Sequence, residues 1–376
     1  MVSKGKSMNK FISYIYLFIS LFFISSIFTS NSYAELSASV EDLKTCGEGK
    51  TYDEDSDSCG GPCAVNDSGA IIIASNGLPY DAGTSDAYRD SCNMIPDLYR
   101  VTLYKGGLCT SDPYSASGTT IDYTTSCDLF FDDTTGKVIT LTNQGDGTAT
   151  ASPSLVDDGI NLGIKTYTHA FMIMSNHLQI KHDQTYDFSG TATATAMRGG
   201  GDTVSSGTTC WTIDRTSTYS NLDGTTGANH GSVALRTGDG TAAEASTKCG
   251  SAVDGTFDYA TEIIETFGQA SGNWGVSSVT SRWPYAASSL GGGTKAAILL
   301  QSDLQTVATT MENGVTMLYA VSLTNPLVIT ENTNRFDIKF GLSGSVSVDF
   351  TTQDGSDFLF VTKHGADPVD ILFSAN

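Results

Sequence analysis

Every one of the eight cysteines stands behind an N-terminal segment with the layout of a secretion leader. Lys4, Lys6 and Lys10 form a positive start, the apolar run Phe11–Phe28 follows, and Ser32-Tyr33-Ala34 supplies small residues for cleavage before Glu35. An even number of cysteines beyond such a leader reads as a disulfide framework built in an oxidising compartment. The expectation is a secreted protein, extracellular, cell-surface or periplasmic, with a signal peptide over residues 1–34. The alternative is an uncleaved anchor, because the apolar run approaches the length that crosses a bilayer core of ~30 Å. No later segment is apolar enough to span a membrane.

Cleavage after Ala34 removes three lysines and no acid, which takes the formal charge from −21 to −24. So negative a surface repels the phosphate backbone, so nucleic-acid binding is excluded as an expectation. Gly, Ser, Thr and Asp dominate, which favours pleated surfaces joined by turns. The fold class expected is mainly β, an antiparallel sandwich, with one large or two packed domains.

Residues 35–68 read as a Cys-rich acidic segment. Residues 69–250 read as a disulfide-containing β domain with long loops, and 251–376 as a cysteine-free β region that can share the same sandwich. Strand signals lie at Ala70–Ala74, at Tyr99–Leu108 ending on Gly106-Gly107, and at Lys137–Asn143. Residues 165–182 carry the longest run, with Phe171 and Ile173 on one face and Ala170, Met172 and Met174 on the other. Apolar residues on both faces predict cover on both sides. Asn313-Gly314 predicts a two-residue hairpin that sets Thr310 opposite Met317 and Thr306 opposite Val321. The competing reading is a helical stripe through Leu300, Leu304, Val307, Ala308 and Met311. Phe336–Leu342 and Val346–Phe350 read as antiparallel partners across Ser343-Gly344. Residues 256–267 carry the spacing of one short helix.

Two stretches resemble segments of uncharacterised secreted β-rich proteins of marine bacteria. They are Leu103-Tyr104-Lys105-Gly106-Gly107-Leu108-Cys109-Thr110-Ser111-Asp112-Pro113 and Asn325-Pro326-Leu327-Val328-Ile329-Thr330-Glu331-Asn332. The resemblance implies a secreted β fold and carries no activity and no functional residue.

Eight cysteines allow on the order of 100 connectivities. Closeness in sequence pairs Cys109 with Cys127 and Cys210 with Cys249, loops worth ~3 and ~4 kcal/mol on the chain-entropy model. Cys46, Cys59, Cys63 and Cys92 then share two bridges. Asp53, Asp55 and Asp57 alternate as the carboxylates of a calcium loop do, so calcium is the one candidate cofactor. The loop departs from the EF-hand pattern at Ser58 and Ala64, and a solvated acidic turn is the competing reading. His169, His177 and His182 raise a metal question without visible convergence. Trp211, Trp274, Trp283 and Tyr285 sit in loop-like contexts where exposed flat rings can stack on sugars, and tryptophans that fill a core or anchor a loop are the commoner competing reading. No nucleophile elbow, zinc-protease, phosphate-loop or dinucleotide motif is present, and no carboxylate pair can be singled out as catalytic.

The reading with most support from sequence is a non-enzymatic secreted or cell-surface protein that acts as a structural or assembly subunit. Self-assembly would run through residues 35–40, where apolar and polar residues alternate at a free terminus. An adhesin or glycan-binding module is the alternative, and a hydrolase on a β scaffold is the third.

Overall fold

The computed structural model describes residues 63, 65–73, 88–114, 120–145, 147–152, 162–189, 195–199, 202–218, 232–236, 242–244, 246–264, 283–287, 293–308, 313–333, 335–352, 358–366 and 369–375. Among these residues the chain is a β protein without an α-helix. The leader, the acidic loop with Asp53, Asp55 and Asp57, residues 35–40, and Cys46 and Cys59 lie outside them.

The strands begin with β1 (Ile71–Ile72), β2 (Tyr88–Met94), β3 (Leu98–Cys109), β4 (Cys127–Asn143), β5 (Thr148–Ser152) and β6 (Thr166–Ser175). Next come β7 (His177–Lys181), β8 (Asp183–Asp187), β9 (Ala196–Gly199), β10 (Asp202–Gly207), β11 (Thr209–Thr212) and β12 (Thr216–Thr218). Then follow β13 (Ser232–Arg236), β14 (Ala242–Glu244), β15 (Thr247–Gly250), β16 (Ala260–Ile263), β17 (Trp283–Ala287) and β18 (Gly293–Leu300). The last are β19 (Thr316–Val328), β20 (Phe336–Gly341), β21 (Val346–Thr352), β22 (Phe358–Ala366) and β23 (Asp370–Ala375).

A 12-stranded sheet runs in the order β17-β18-β19-β6-β3-β4-β5-β20-β23, and β7, β16 and β12 branch from it at β3. A 5-stranded sheet (β10-β9-β22-β21-β2) and a 4-stranded sheet (β1-β8-β11-β15) share its main core, and β13-β14 forms a separate pair. The large sheet takes strands from both sides of residue 250, so the two regions share one sheet system. The main core joins Tyr99, Val101 and Leu103 of β3 to Val346 and Val348 of β21 and to Tyr186 of β8.

The long run at 165–182 has cover on both faces, and its composition is the cause. Ala170, Met172 and Met174 enter the main core, while Phe171 and Ile173 enter a second one. Tyr114, Ile121, Tyr123, Leu304 and Val307 close that second core from loops. The run is two strands rather than one, because Asn176 interrupts it between β6 and β7.

Gly106-Gly107 does not end β3, which continues to Cys109 through two irregularities in register. Both glycines are places of close approach. A Cβ on Gly106 would stand 2.5 Å from the Phe130 ring, and one on Gly107 2.5 Å from the Phe171 ring. Phe130 and Phe171 are each buried in one of the two cores, so neither ring has room to retreat.

Disulfides join Cys63 to Cys92, Cys109 to Cys127, and Cys210 to Cys249. The last two pairs are the ones that proximity in sequence suggests. Each links residues directly opposite one another, Cys109 with Cys127 on β3 and β4, and Cys210 with Cys249 on β11 and β15. Their Cα atoms are 4.0 Å apart, as in the narrow pairs of an antiparallel ladder.

Three expectations are corrected. Met317 and Val321 face Leu299 and Lys295 of β18, not Thr306 on a 313–314 hairpin, and Thr310 lies outside the described residues. Asp303 decides the local course, because its carboxylate accepts the backbone N–H groups of Gln305 and Thr306. Leu304 takes a left-handed φ of 63° within that turn, which breaks the helical stripe too. The strands β20 and β21 are not partners, since β20 pairs with β23 and β5 while β21 pairs with β22 and β2. The Ser345 N–H bonds the Leu342 carbonyl and Gly344 has φ +76°, a turn that passes the chain from one sheet to another. The segment at 256–267 contains β16, which pairs with β7 and β12. Sheet pairing on both edges overrides its helical spacing.

Gly107→Ala is expected to lower stability by about 1–3 kcal/mol through overpacking against Phe171, measured by urea unfolding. An unchanged midpoint would show that the ring can move aside.

A candidate polar pocket on the branched sheet

Asn176 creates the place where a pocket can form. Its side chain is buried, and its Nδ2 donates to the Ile264 carbonyl at 3.0 Å and to the Gly314 carbonyl at 2.9 Å. Those carbonyls belong to the exit of β16 and the entry to β19. On one side of Asn176, β6 pairs with β19; on the other, β7 pairs with β16. The sheet therefore splits at this amide.

Beyond the split, alternation sorts side chains by face. Tyr99, Val101, Leu178 and Ile180 point into the main core, while Arg100, Thr102, His177 and Gln179 are half-buried. One row crosses four strands: Arg100 stands opposite Gln179, Gln179 opposite Thr261, and Thr261 opposite Thr216. Residues paired in this way present their side chains to one face.

These residues, with Val101, Thr102, Ser175, His177 and Ile263, line a cavity of about 290 Å³. That volume is at the lower end for small-molecule sites, ~300 Å³ and upward. Gln179 Nε2 donates to Thr261 Oγ1 at 3.0 Å, which fixes the amide's orientation. The Arg100 guanidinium lies 3.7 Å from the centre of the Tyr259 ring. No protein oxygen accepts a hydrogen bond from it among the described residues. Among the described residues the lining holds four hydroxyls, one amide, an arginine and a histidine, and no carboxylate, in a chain of net charge −21.

The residues singled out from sequence do not gather there. Trp211 is corrected from a stacking platform to a core residue, 1% exposed. Its indole N–H donates to Thr256 Oγ1 at 3.1 Å, and Gly250 packs against the ring. Trp283 and Tyr285 stand in β17 at the end of the large sheet, and Trp274 lies outside the described residues. Of the three histidines, His177 enters the pocket, His169 contacts Thr168 and His182 is buried elsewhere. No cluster of three metal-ligating side chains is found among the described residues. Arg100, Gln179 and Thr261 carry no motif. Their only sequence signal is the outward phase of the alternation around Tyr99, Val101 and Leu103.

A second polar group lies inside the protein. The rings of His182 and His364 meet at 5.1 Å, both buried, and the Tyr186 hydroxyl is 3.4 Å from His364 Nε2. Among the described residues neither ring nitrogen of His182 has a hydrogen-bond partner, and its Nδ1 is 3.8 Å from Asp97. Burial lowers the His182 pKa to about 4. Burial, and then the neighbouring His182, hold His364 well below its ordinary value. Both are neutral where an unfolded histidine near 6.5 begins to take up protons.

Comparison with protein-family models, with curated proteins and with solved structures gives no match. The pocket therefore rests on its own chemistry.

Unfolding releases two histidines that bind protons more readily than in the folded state, so stability falls as pH drops from about 6.5 toward 4. The shift on His182 corresponds to about 3 kcal/mol over that window. Asp97 and Asp183, raised by burial, oppose the loss only near the carboxylate range. Urea unfolding at several pH values should show this slope, and the His182→Phe/His364→Phe protein should lose most of it. An equal slope in both proteins would contradict the assignment.

Proposed function

We propose that the protein is a non-enzymatic extracellular binding module, of adhesin or glycan-binding type, that holds a small hydroxylated ligand in the Arg100 pocket. The observation that carries this reading is the row Arg100, Gln179, Thr261 and Thr216, a set of donors and acceptors preset on rigid strands. Sugar hydroxyls both donate and accept, so Thr and Gln side chains match them. Three disulfides among the described residues fit an oxidising compartment, and no described helix is long and apolar enough to cross a membrane.

The test is a thermal-shift panel of mono- and disaccharides. A ligand at a hundredfold over its Kd should stabilise the protein by about 2.7 kcal/mol, and Thr216→Val/Thr261→Val should abolish the response. Turnover of chromogenic glycosides or esters by the purified protein would replace this reading with the hydrolase.

Assembly through residues 35–40 is the second reading. Among the described residues the large sheet ends at β23, which pairs only with β20, and a terminal strand is the kind of edge to which another strand adds. Deleting residues 35–40 should leave a folded protein that forms no higher-order species in sedimentation velocity. A full-length mature protein that stays monomeric at high concentration would remove this reading.

A further inference from the structure

We infer that the pocket selects an acidic saccharide, a hexuronate, and that Arg100 is the residue that recognises its carboxylate. The inference rests on the binding-module reading above and adds the chemical class of the ligand.

Three observations converge. The Arg100 guanidinium has five N–H donors, and among the described residues the Tyr259 ring, 3.7 Å away, is its one charge or ring partner. Stacking on a ring holds the guanidinium plane in place and leaves its donor edge for a planar acceptor. Lys105 pairs with Asp132, Lys165 with Asp128, Lys248 with Asp254 and Arg335 with Asp337, while Lys181 on β7 lies over the Phe257 ring as Arg100 lies over Tyr259 but outside the cavity lining. In a chain with 41 acidic residues, an arginine in a cleft that has no carboxylate partner among the described residues is suited to one from outside.

The second observation is the neighbourhood of that fork. Gln179 and Thr261 follow Arg100 directly across the ladder, with Thr216 beyond them. A carboxylate on Arg100 would place the ring that bears it over Gln179 and Thr261, whose groups suit ring hydroxyls. The third is room: about 290 Å³ admits one sugar-sized ring and leaves the lining half-buried, open to a longer chain. A carboxylate suits a planar fork by two parallel N–H···O bonds, which gives orientation as well as attraction. The negative field of the whole protein opposes approach of an anion, so recognition depends on this local contact and not on long-range steering.

Isothermal titration of the mature protein with digalacturonate, its methyl ester, galactobiose and galactose 6-sulfate tests the inference. The ester keeps the shape and removes the charge. Digalacturonate should bind, with the ester and galactobiose weaker by about 10-fold to 100-fold, the range for a charge-assisted hydrogen-bond pair. Arg100→Gln should bring acid and ester to equal affinity, and Arg100→Lys should restore part of the preference. Unchanged melting of both variants keeps the comparison free of folding effects. Equal binding of acid and ester by the native protein would overturn carboxylate recognition and leave the binding module standing. Binding confined to the sulfated sugar would overturn the hexuronate. Binding of none of the four, together with no response in the saccharide panel, would overturn both this inference and the reading beneath it.

Discussion

The side-chain amide of Asn176 holds two diverging parts of the sheet at once. Its two N–H bonds go to the carbonyls of Ile264 and Gly314, and the backbone carbonyl of Asn176 accepts the Ile264 N–H at 2.8 Å. An apolar residue there would leave two buried carbonyls without partners, each costing roughly 1–3 kcal/mol. The branching has a functional consequence. Where β19 gives way to β16, the outer face carries the half-buried polar side chains of Arg100, Thr102, His177 and Gln179 in place of the apolar second core. A sheet without the branch would continue its double burial and leave no concave polar surface.

Rigidity around the branch comes from packing on both faces. Thr316–Val321 of β19 is buried throughout, as are Ala170–Met174 of β6. Glycines 106 and 107 let the Phe130 and Phe171 rings lie against the backbone of β3 from opposite cores. The disulfides reinforce ladders that already pair, since Cys109–Cys127 and Cys210–Cys249 each join directly opposite residues. A binding site on such a support keeps its side chains in place before a ligand arrives, which reduces the ordering cost of association.

Local pattern made the mainly β class legible, along with the double burial of 165–182 and the two short-range disulfides. These depend on residues close in sequence, where period two and loop length speak directly. Partners did not follow from the same signals. Asn313-Gly314 carries a strong hairpin signature, yet β19 pairs with β18 because Asp303 folds the intervening chain onto itself. Phe336–Leu342 and Val346–Phe350 each alternate as half-buried strands should, and nothing in that alternation says that Gly344 sends them to different sheets. At 257–264 the same apolar residues satisfy a helix and a strand, and only the edges of β7 and β12 decide. The pocket was invisible for a related reason. Arg100 and Gln179 are far apart in sequence and become neighbours through the β3–β7 ladder alone. Trp211 follows the core reading of the two that its sequence context left open, and Gly250 in those Gly- and Thr-rich surroundings supplies the close approach that buries it.

The branched sheet presents Arg100, Gln179, Thr261 and Thr216 as one preset row. A crystal structure of the mature protein grown with digalacturonate is the decisive test of its role in recognition. The expected result is a carboxylate against the Arg100 guanidinium, the ring over Gln179 and Thr261, and the row unchanged from the unliganded protein. A saccharide bound elsewhere, or an Arg100 side chain engaged by an acidic residue of the protein itself, would contradict it.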